Sequence, residues 1–181
     1  MKNSARVIAL SAVFTALAVI FLYAGNLMPA LRVAAFAAAS LFVVAAVIEA
    51  GLGSAALVFA GSAVLGLLLL PDKGAAYLYI LFFGPYPIVK SLAERTRPAV
   101  VQWLIKQLFF NLAFTAVWFL IRELVFNTEA LAAFAGFGRA AGTLMIYLVA
   151  NAAFIVYDIG LTRLIGLYIT RISRNIRKNN R

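Results

Sequence analysis

Two runs of residues place amides and aromatic rings along one side of a helix. Gln107, Asn111, Phe114 and Trp118 follow steps of four, three and four, and Tyr147, Asn151, Phe154 and Asp158 follow steps of four, three and four as well. This spacing lines side chains up on a single helical face. Alternating amides and rings can wall a pocket for a flat heterocycle, the rings stacking on it and the amides fixing its orientation. The same residues suit plain helix packing, with the amides as interhelical glue and the rings as core. Two charges, Lys106 and Asp158, lie deep in these apolar runs. At a helical rise of about 1.5 Å per residue, Lys106 is roughly 10 Å into its helix and Asp158 roughly 13 Å from the far end of the other. Antiparallel neighbours would bring them to a similar depth, so we expect a structural ion pair between them. Arg163 competes for Asp158, and Glu49 or Glu94 for Lys106.

The chain has no cysteine and no histidine. That removes thiol nucleophiles, disulfides, imidazole bases and the usual transition-metal ligands together. Glu49, Glu94 and Asp158 stand as isolated carboxylates without such a partner, and no Walker motif is present. We therefore expect no catalytic residue, no metal and no cofactor, and any ATPase activity must come from another protein.

The elements that position these residues are apolar helices. Of 181 residues 65% are hydrophobic, well above the apolar share of about half in soluble domains. A span needs about 20 apolar residues, which divides the chain into six, at about 7–24, 30–48, 52–70, 74–92, 99–121 and 140–167. The expected fold is an all-α integral membrane protein, one domain of six transmembrane helices in one bundle. Lys2 and Arg6 precede the first span without a convincing cleavage site after it, so that span is read as retained. Between the fifth and sixth spans, Asn127 and Thr128 offer a cap for a short apolar stretch at 130–137, read as a surface helix or partly buried loop.

Residues 71–98 hold four of the five prolines. Pro85 and Pro87 interrupt the fourth span: each lacks an N–H and crowds the carbonyl four residues back, here those of Leu81 and Phe83. Gly84 and Tyr86, each before a proline, are expected outside the α region. Irregular backbone at membrane depth must be buried in protein or line a wet cavity, so this span is expected to face the interior. The kink should also re-aim Tyr77 and Tyr79 toward the bundle.

The net charge of +10 lies mainly at the ends of apolar runs, where anionic lipid headgroups rather than nucleic acid are the expected partner. With the N-terminus inside, eleven of the sixteen basic residues fall on inner flanks and four, Arg32, Lys73, Arg122 and Arg139, on outer ones. This asymmetry puts both termini in the cytoplasm. The basic tail, 171–181, is read as an anchor on anionic lipid.

Small residues recur at four-residue spacing, which lets helices approach closely in lipid. The first span carries several such pairs on adjoining faces, Ala5 with Ala9, Ser11 with Thr15 and Ala12 with Ala16, enough to pack against two neighbours. The second has Ala34 with Ala38 and Ala35 with Ala39, and the third Ser62 with Gly66. Six short spans, cytoplasmic termini and a first helix reading ARVIALSAVFTALAVI resemble the S components of energy-coupling-factor vitamin importers, the substrate-binding membrane subunits of those systems. In that family an AxxxA pattern on the first helix docks the subunit onto a transmembrane coupling subunit. Ala12-Val13-Phe14-Thr15-Ala16 fits it, and Ala5 to Ala9 is a second match. The resemblance implies a small-molecule ligand bound toward the outer face. By depth and side it nominates Asn26, Arg32, Asp72, Lys73, Tyr77, Tyr79, Trp118, Arg122, Tyr147 and Asn151, to which the helical stripe adds Asn111. It also implies a coupling subunit and ATPases as partners, in a prokaryotic cell membrane.

A different class fits the same composition: a non-transporting membrane scaffold or assembly factor whose apolar faces and basic tail recruit partners and lipid. The topology is testable under either reading. Single cysteines at Ser4, Asn26, Thr96, Thr128 and Asn179 should be labelled by an impermeant reagent from outside only at Asn26 and Thr128. External labelling at Thr96 would overturn the orientation.

Overall fold

A computed structural model describes the backbone of residues 4–125 and 139–179, and the side chains of 5–119 and 142–170. Every regular element among the described residues is helical. In order they are α1 (Ser4–Leu27), a single 3-10 turn (Pro29–Leu31), α2 (Arg32–Ala50), α3 (Leu52–Leu69), α4 (Lys73–Leu78), a π-helical turn (Tyr79–Phe83), α5 (Tyr86–Ala93), α6 (Ala99–Val125) and α7 (Arg139–Asn179). Six helical stretches are long and apolar enough to cross a membrane: Ala5–Leu27, Pro29–Ala50, Leu52–Leu69, Lys73–Ala93, Ala99–Phe119 and Gly142–Thr170. They lie within a few residues of the six spans expected from hydropathy, and the chain is a multi-pass membrane protein on that ground. The short apolar stretch at 130–137 lies outside the described residues.

The chain divides into two compact units, Met1–Thr128 and Glu129–Arg181. In the first, α1, α2 and α3 pack on one another, α5 packs on α2 and α3, and α6 packs on α4, the π turn and α5. The second contains α7. Its 41 residues correspond to roughly 60 Å at the helical rise, about twice the thickness of a hydrocarbon core. The helix thus continues past its apolar stretch into the basic tail.

The turns follow local chemistry. Gly51 joins α2 to α3 at φ 88° and ψ −178°, a backbone region open only to glycine. It is the one residue with positive φ among those described. Leu70 is extended, at φ −74° and ψ 126°, as the residue before Pro71 must be. Lys73 Nζ then donates to the carbonyls of Leu67 at 2.6 Å and Leu70 at 3.0 Å, which satisfies the end of α3. Asp72 caps α4, its Oδ1 accepting from the Ala75 N–H at 3.2 Å.

The fourth span departs from a simple proline break. Gly84 N–H bonds to the Tyr79 carbonyl at 2.8 Å, a step of five residues that widens the turn just before Pro85. That widening draws the backbone away from the crowding a proline ring imposes on the carbonyl four residues back. Pro87 then falls in the first turn of α5, where a missing N–H breaks no helical bond. Gly84 itself is α-helical, at φ −70° and ψ −53°, and Tyr86 opens α5; the expectation that both leave the α region is corrected. At Gly84 the reason is partly the absent Cβ, since the clash with a following proline ring involves that atom. A Cβ on Gly84 would also lie 2.5 Å from the Phe59 ring.

Half of the fourth span is buried, a larger share than in any of the other five. Tyr79, Tyr86 and Lys90 are its largest fully buried side chains. Val43, Ala46, Ala55 and Val58 form the apolar centre, joined by Phe14 of α1, Phe59 of α3 and Ile88 of α5. Hydroxyl pairs tie α3 to α1 and to the π turn: Ser11 Oγ lies 2.6 Å from Ser54 Oγ, and Ser62 Oγ 2.8 Å from the Tyr79 hydroxyl.

Gly84→Ala should therefore destabilise the fold by about 1–3 kcal/mol, the usual cost of overpacking a filled core. Thermal unfolding in detergent should show the loss, and adding Phe59→Leu should restore most of it.

Candidate functional site

The nominated residues fall into three groups in space. The first lies where α1 meets α2 and α3 meets α4. Arg32 Nη1 is 2.8 Å from Asp72 Oδ2, and Asp72 is also the α4 cap, so its carboxylate works twice. Lys73 is engaged with the last carbonyls of α3. Asn26 Oδ1 and Arg32 Nε are buried and accept or donate no hydrogen bond. Tyr77 and Tyr79 part company: Tyr79 is buried against Ser62, whereas Tyr77 is exposed. Two residues of helix turn a side chain through roughly 200°, so one rotation of the span cannot aim both inward.

The second group is aromatic. Rings connect from Phe36 to Tyr79 and Phe83, then through Phe82 to Phe110, Phe114 and Trp118, with centroid separations between 4.9 and 6.5 Å. Tyr86 joins at Phe82 and Phe109. The stripe of α6 is thus continuous with the π turn, a connection that sequence spacing within α6 does not reveal. Asn111 Nδ2 donates to the Gln107 carbonyl at 2.9 Å, and in the second unit Asn151 Nδ2 donates to the Tyr147 carbonyl at 2.7 Å. Both amides therefore place one donor along their own helix. Arg122 lies on α6 beyond the described side chains.

The third group is ionic. Glu94 Oε1 lies 2.7 Å from Lys90 Nζ and 3.5 Å from Lys106 Nζ, so Lys106 meets one of its two expected competing carboxylates. Asp158 belongs to the second unit. Lys90, only 1% exposed, was not singled out by the sequence, which places it on a charged flank. The signal available was its spacing from Glu94, four residues along a helix.

The docking residues expected on α1 are all exposed. Ala5, Ala9, Ala12 and Ala16 line the outside, while Ser11, Ala18 and Leu22 are buried. Thr15 faces inward beside Gly61, where a Cβ would come within 3.0 Å of it. Compared with protein-family models, curated proteins and solved structures, the chain matches none.

Lys90 is buried while Glu94 is exposed, so removing Glu94 strands a buried cation, whereas removing both can be tolerated. Glu94→Leu should lower the yield of folded protein, and adding Lys90→Met should recover more of it than adding Lys106→Met, whose contact is longer. Comparing Lys106→Met, Asp158→Leu and the double change tests the pair expected across the two units. Strictly additive losses would exclude their interaction.

Proposed function

We propose that this chain is the substrate-binding membrane subunit of an energy-coupling-factor type importer in a prokaryotic cell membrane. It takes up a small molecule from the outer side and depends on a separate coupling subunit and ATPases for transport. Both termini are cytoplasmic in this reading, so Arg32 and Asp72 stand at the outer end of the fourth span and Lys90 and Glu94 at the inner end.

One observation carries the proposal. On the outward side of α1, Ala5, Ala9, Ala12 and Ala16 form a strip, all exposed, flanked by the exposed Ile8, Val13 and Ile20. On α3 the outward positions include Leu57, Val64, Leu65, Leu68 and Leu69, large side chains of the kind that suit lipid tails. Alanines gain little from lipid but let a second helix come close. A strip of four on the outside of the chain therefore suits a helical partner better than lipid. The inner face of α1 is already occupied by α2 and α3, which leaves the alanine strip available for docking.

The unbonded Asn26 Oδ1 and Arg32 Nε offer polar groups to a ligand, and the half-buried Trp118, at the end of the aromatic path, offers a ring. Any catalysis belongs to the ATPases; the binding subunit itself performs none.

Ala12→Leu and Ala16→Leu should each abolish co-purification with the coupling subunit while leaving the unfolding temperature of the isolated protein within a few degrees. Variants that still assemble and transport normally would overturn the proposal. Capture of an unrelated membrane assembly through the same strip would favour the scaffold reading instead.

A further inference from the structure

Arg95 and Arg97 stand exposed in the turn that joins α5 to α6, and neither guanidinium makes a hydrogen bond or ion pair among the described residues. Glu94 is the one carboxylate between Asp72 and Glu123 in the sequence. It is engaged with Lys90 at 2.7 Å and with Lys106 at 3.5 Å, so Lys90, Arg95, Arg97 and Lys106 share this end of α5 and α6 with a single anion. The two arginines carry the surplus charge on the outside.

The turn holds them on a fixed backbone. The N–H groups of Arg95 and Thr96 donate to the carbonyls of Leu92 at 3.2 Å and Ala93 at 3.0 Å. Thr96 Oγ1 donates to the Ala93 carbonyl at 2.7 Å, and Gln102 Nε2 reaches back to the Thr96 carbonyl at 2.8 Å. Covalent geometry keeps the Cα atoms of Arg95 and Arg97 within about 7 Å of each other, and each side chain ends in a planar fork of donors suited to phosphate oxygens. Both guanidiniums therefore reach one phosphodiester.

From the turn, α6 leads away along an apolar strip. Val100, Leu104, Leu108 and Leu112 recur every four residues and are each more than half exposed. Lys106, Phe110, Ala113 and Val117, all buried, lie on the opposite side of the same helix. Trp103, next to Leu104, is also more than half exposed, and an exposed indole near the end of a span sits at headgroup level. Arg95 and Arg97, a few residues before it, thus stand at the depth of the phosphates, and the strip runs roughly 18 Å from there toward hydrocarbon.

We propose that the turn between α5 and α6 binds an anionic phospholipid, its phosphodiester on Arg95 and Arg97 and an acyl chain along Val100, Leu104, Leu108 and Leu112. This holds for either orientation of the chain in the membrane and does not depend on the importer reading. Charge selects the headgroup. A phosphatidylcholine carries its own ammonium beside the phosphate, and that cation would enter a turn already in positive excess, whose one carboxylate is engaged with two lysines. A headgroup of net negative charge brings no such cation and neutralises the surplus.

The test reads lipid contact at the site itself. The chain has two tryptophans, so in the full-length Trp118→Phe protein Trp103 alone fluoresces. It is reconstituted in equal mixtures of phosphatidylglycerol and phosphatidylcholine, with brominated acyl chains on one or the other as quencher. Brominated phosphatidylglycerol should quench Trp103 more strongly, and the difference should shrink as salt rises. Each of Arg95→Gln and Arg97→Gln should lower the preference about fivefold, the share of one basic residue at a headgroup surface, and the double change should abolish it. Because both side chains are exposed and unpaired, the unfolding temperature in detergent should stay at the wild-type value. Replacing Arg171, Arg174 and Arg177 of the basic tail with Gln should leave the preference intact.

Equal quenching by the two lipids, a preference that survives the double change, or one lost with the tail variant instead would overturn the proposal. So would its loss to inorganic phosphate but not to chloride at the same ionic strength, which would show a site for free phosphate rather than for lipid.

Discussion

Lipid tails offer no hydrogen bonds, so any backbone group freed within the membrane must be satisfied by protein. The fourth span places that demand at the centre of the first unit. Pro85 and Pro87 remove two donors, and the chain answers with a π turn, a restart of the helix at Tyr86 and deep burial of the segment. Phe59, Phe36 and Phe110 surround it from α3, α2 and α6. The other helices of the first unit are arranged by what this segment requires: α3 supplies Ser62 to the Tyr79 hydroxyl, and Gly84 is small so that Phe59 can lie against it.

Magnitudes indicate that close packing matters more here than polar contacts. Hydrogen bonds between membrane helices average about 0.6 kcal/mol, so the Ser11–Ser54 and Ser62–Tyr79 pairs together supply on the order of 1 kcal/mol. Overfilling the space at Gly84 is expected to cost about as much or more. The hydroxyl pairs are better understood as setting register. Each joins α3 to a different neighbour, eight residues apart on α3, and a slip of either helix would leave a buried hydroxyl without its partner.

Much of the architecture was legible in hydropathy because lipid is an unforgiving solvent. Six apolar stretches of the right length have few alternatives to six helices, and the breaks at Gly51 and at Pro71 through Lys73 were explicit. The exposed alanines of α1 were legible too, since Ala5, Ala9, Ala12 and Ala16 lie within one narrow strip at 3.6 residues per turn. Details that depend on tertiary contacts were not. Tyr77 and Tyr79 look equivalent by depth, and only packing against Ser62 distinguishes them. Lys90 reads as a flank charge, yet it is enclosed beside Glu94. The α-helical conformation of Gly84 follows from a widened turn, which no pattern in FFGPYPIVK announces. For the site, sequence nominated Asn26 and Arg32 by depth alone; the Arg32–Asp72 pair, and the unbonded Asn26 Oδ1 and Arg32 Nε, emerge only from the packed structure.

The two ends of the fourth span explain why its centre can be irregular. Its 21 residues reach roughly 30 Å at the helical rise, close to the thickness of a hydrocarbon core. Asp72 and Lys73 fix one end through bonds to Arg32 and to the end of α3. At the other end Glu94 reaches Lys106 of α6 at 3.5 Å, while its shorter bond to Lys90 stays within the fourth span. Ionic contacts to other helices at both ends oppose sliding along the axis, and the prolines are accommodated locally, in the π turn. The ion pairs therefore act on position more than on stability, and the pair at Arg32 does so at a cost. Holding the guanidinium toward Asp72 leaves Arg32 Nε without a protein acceptor.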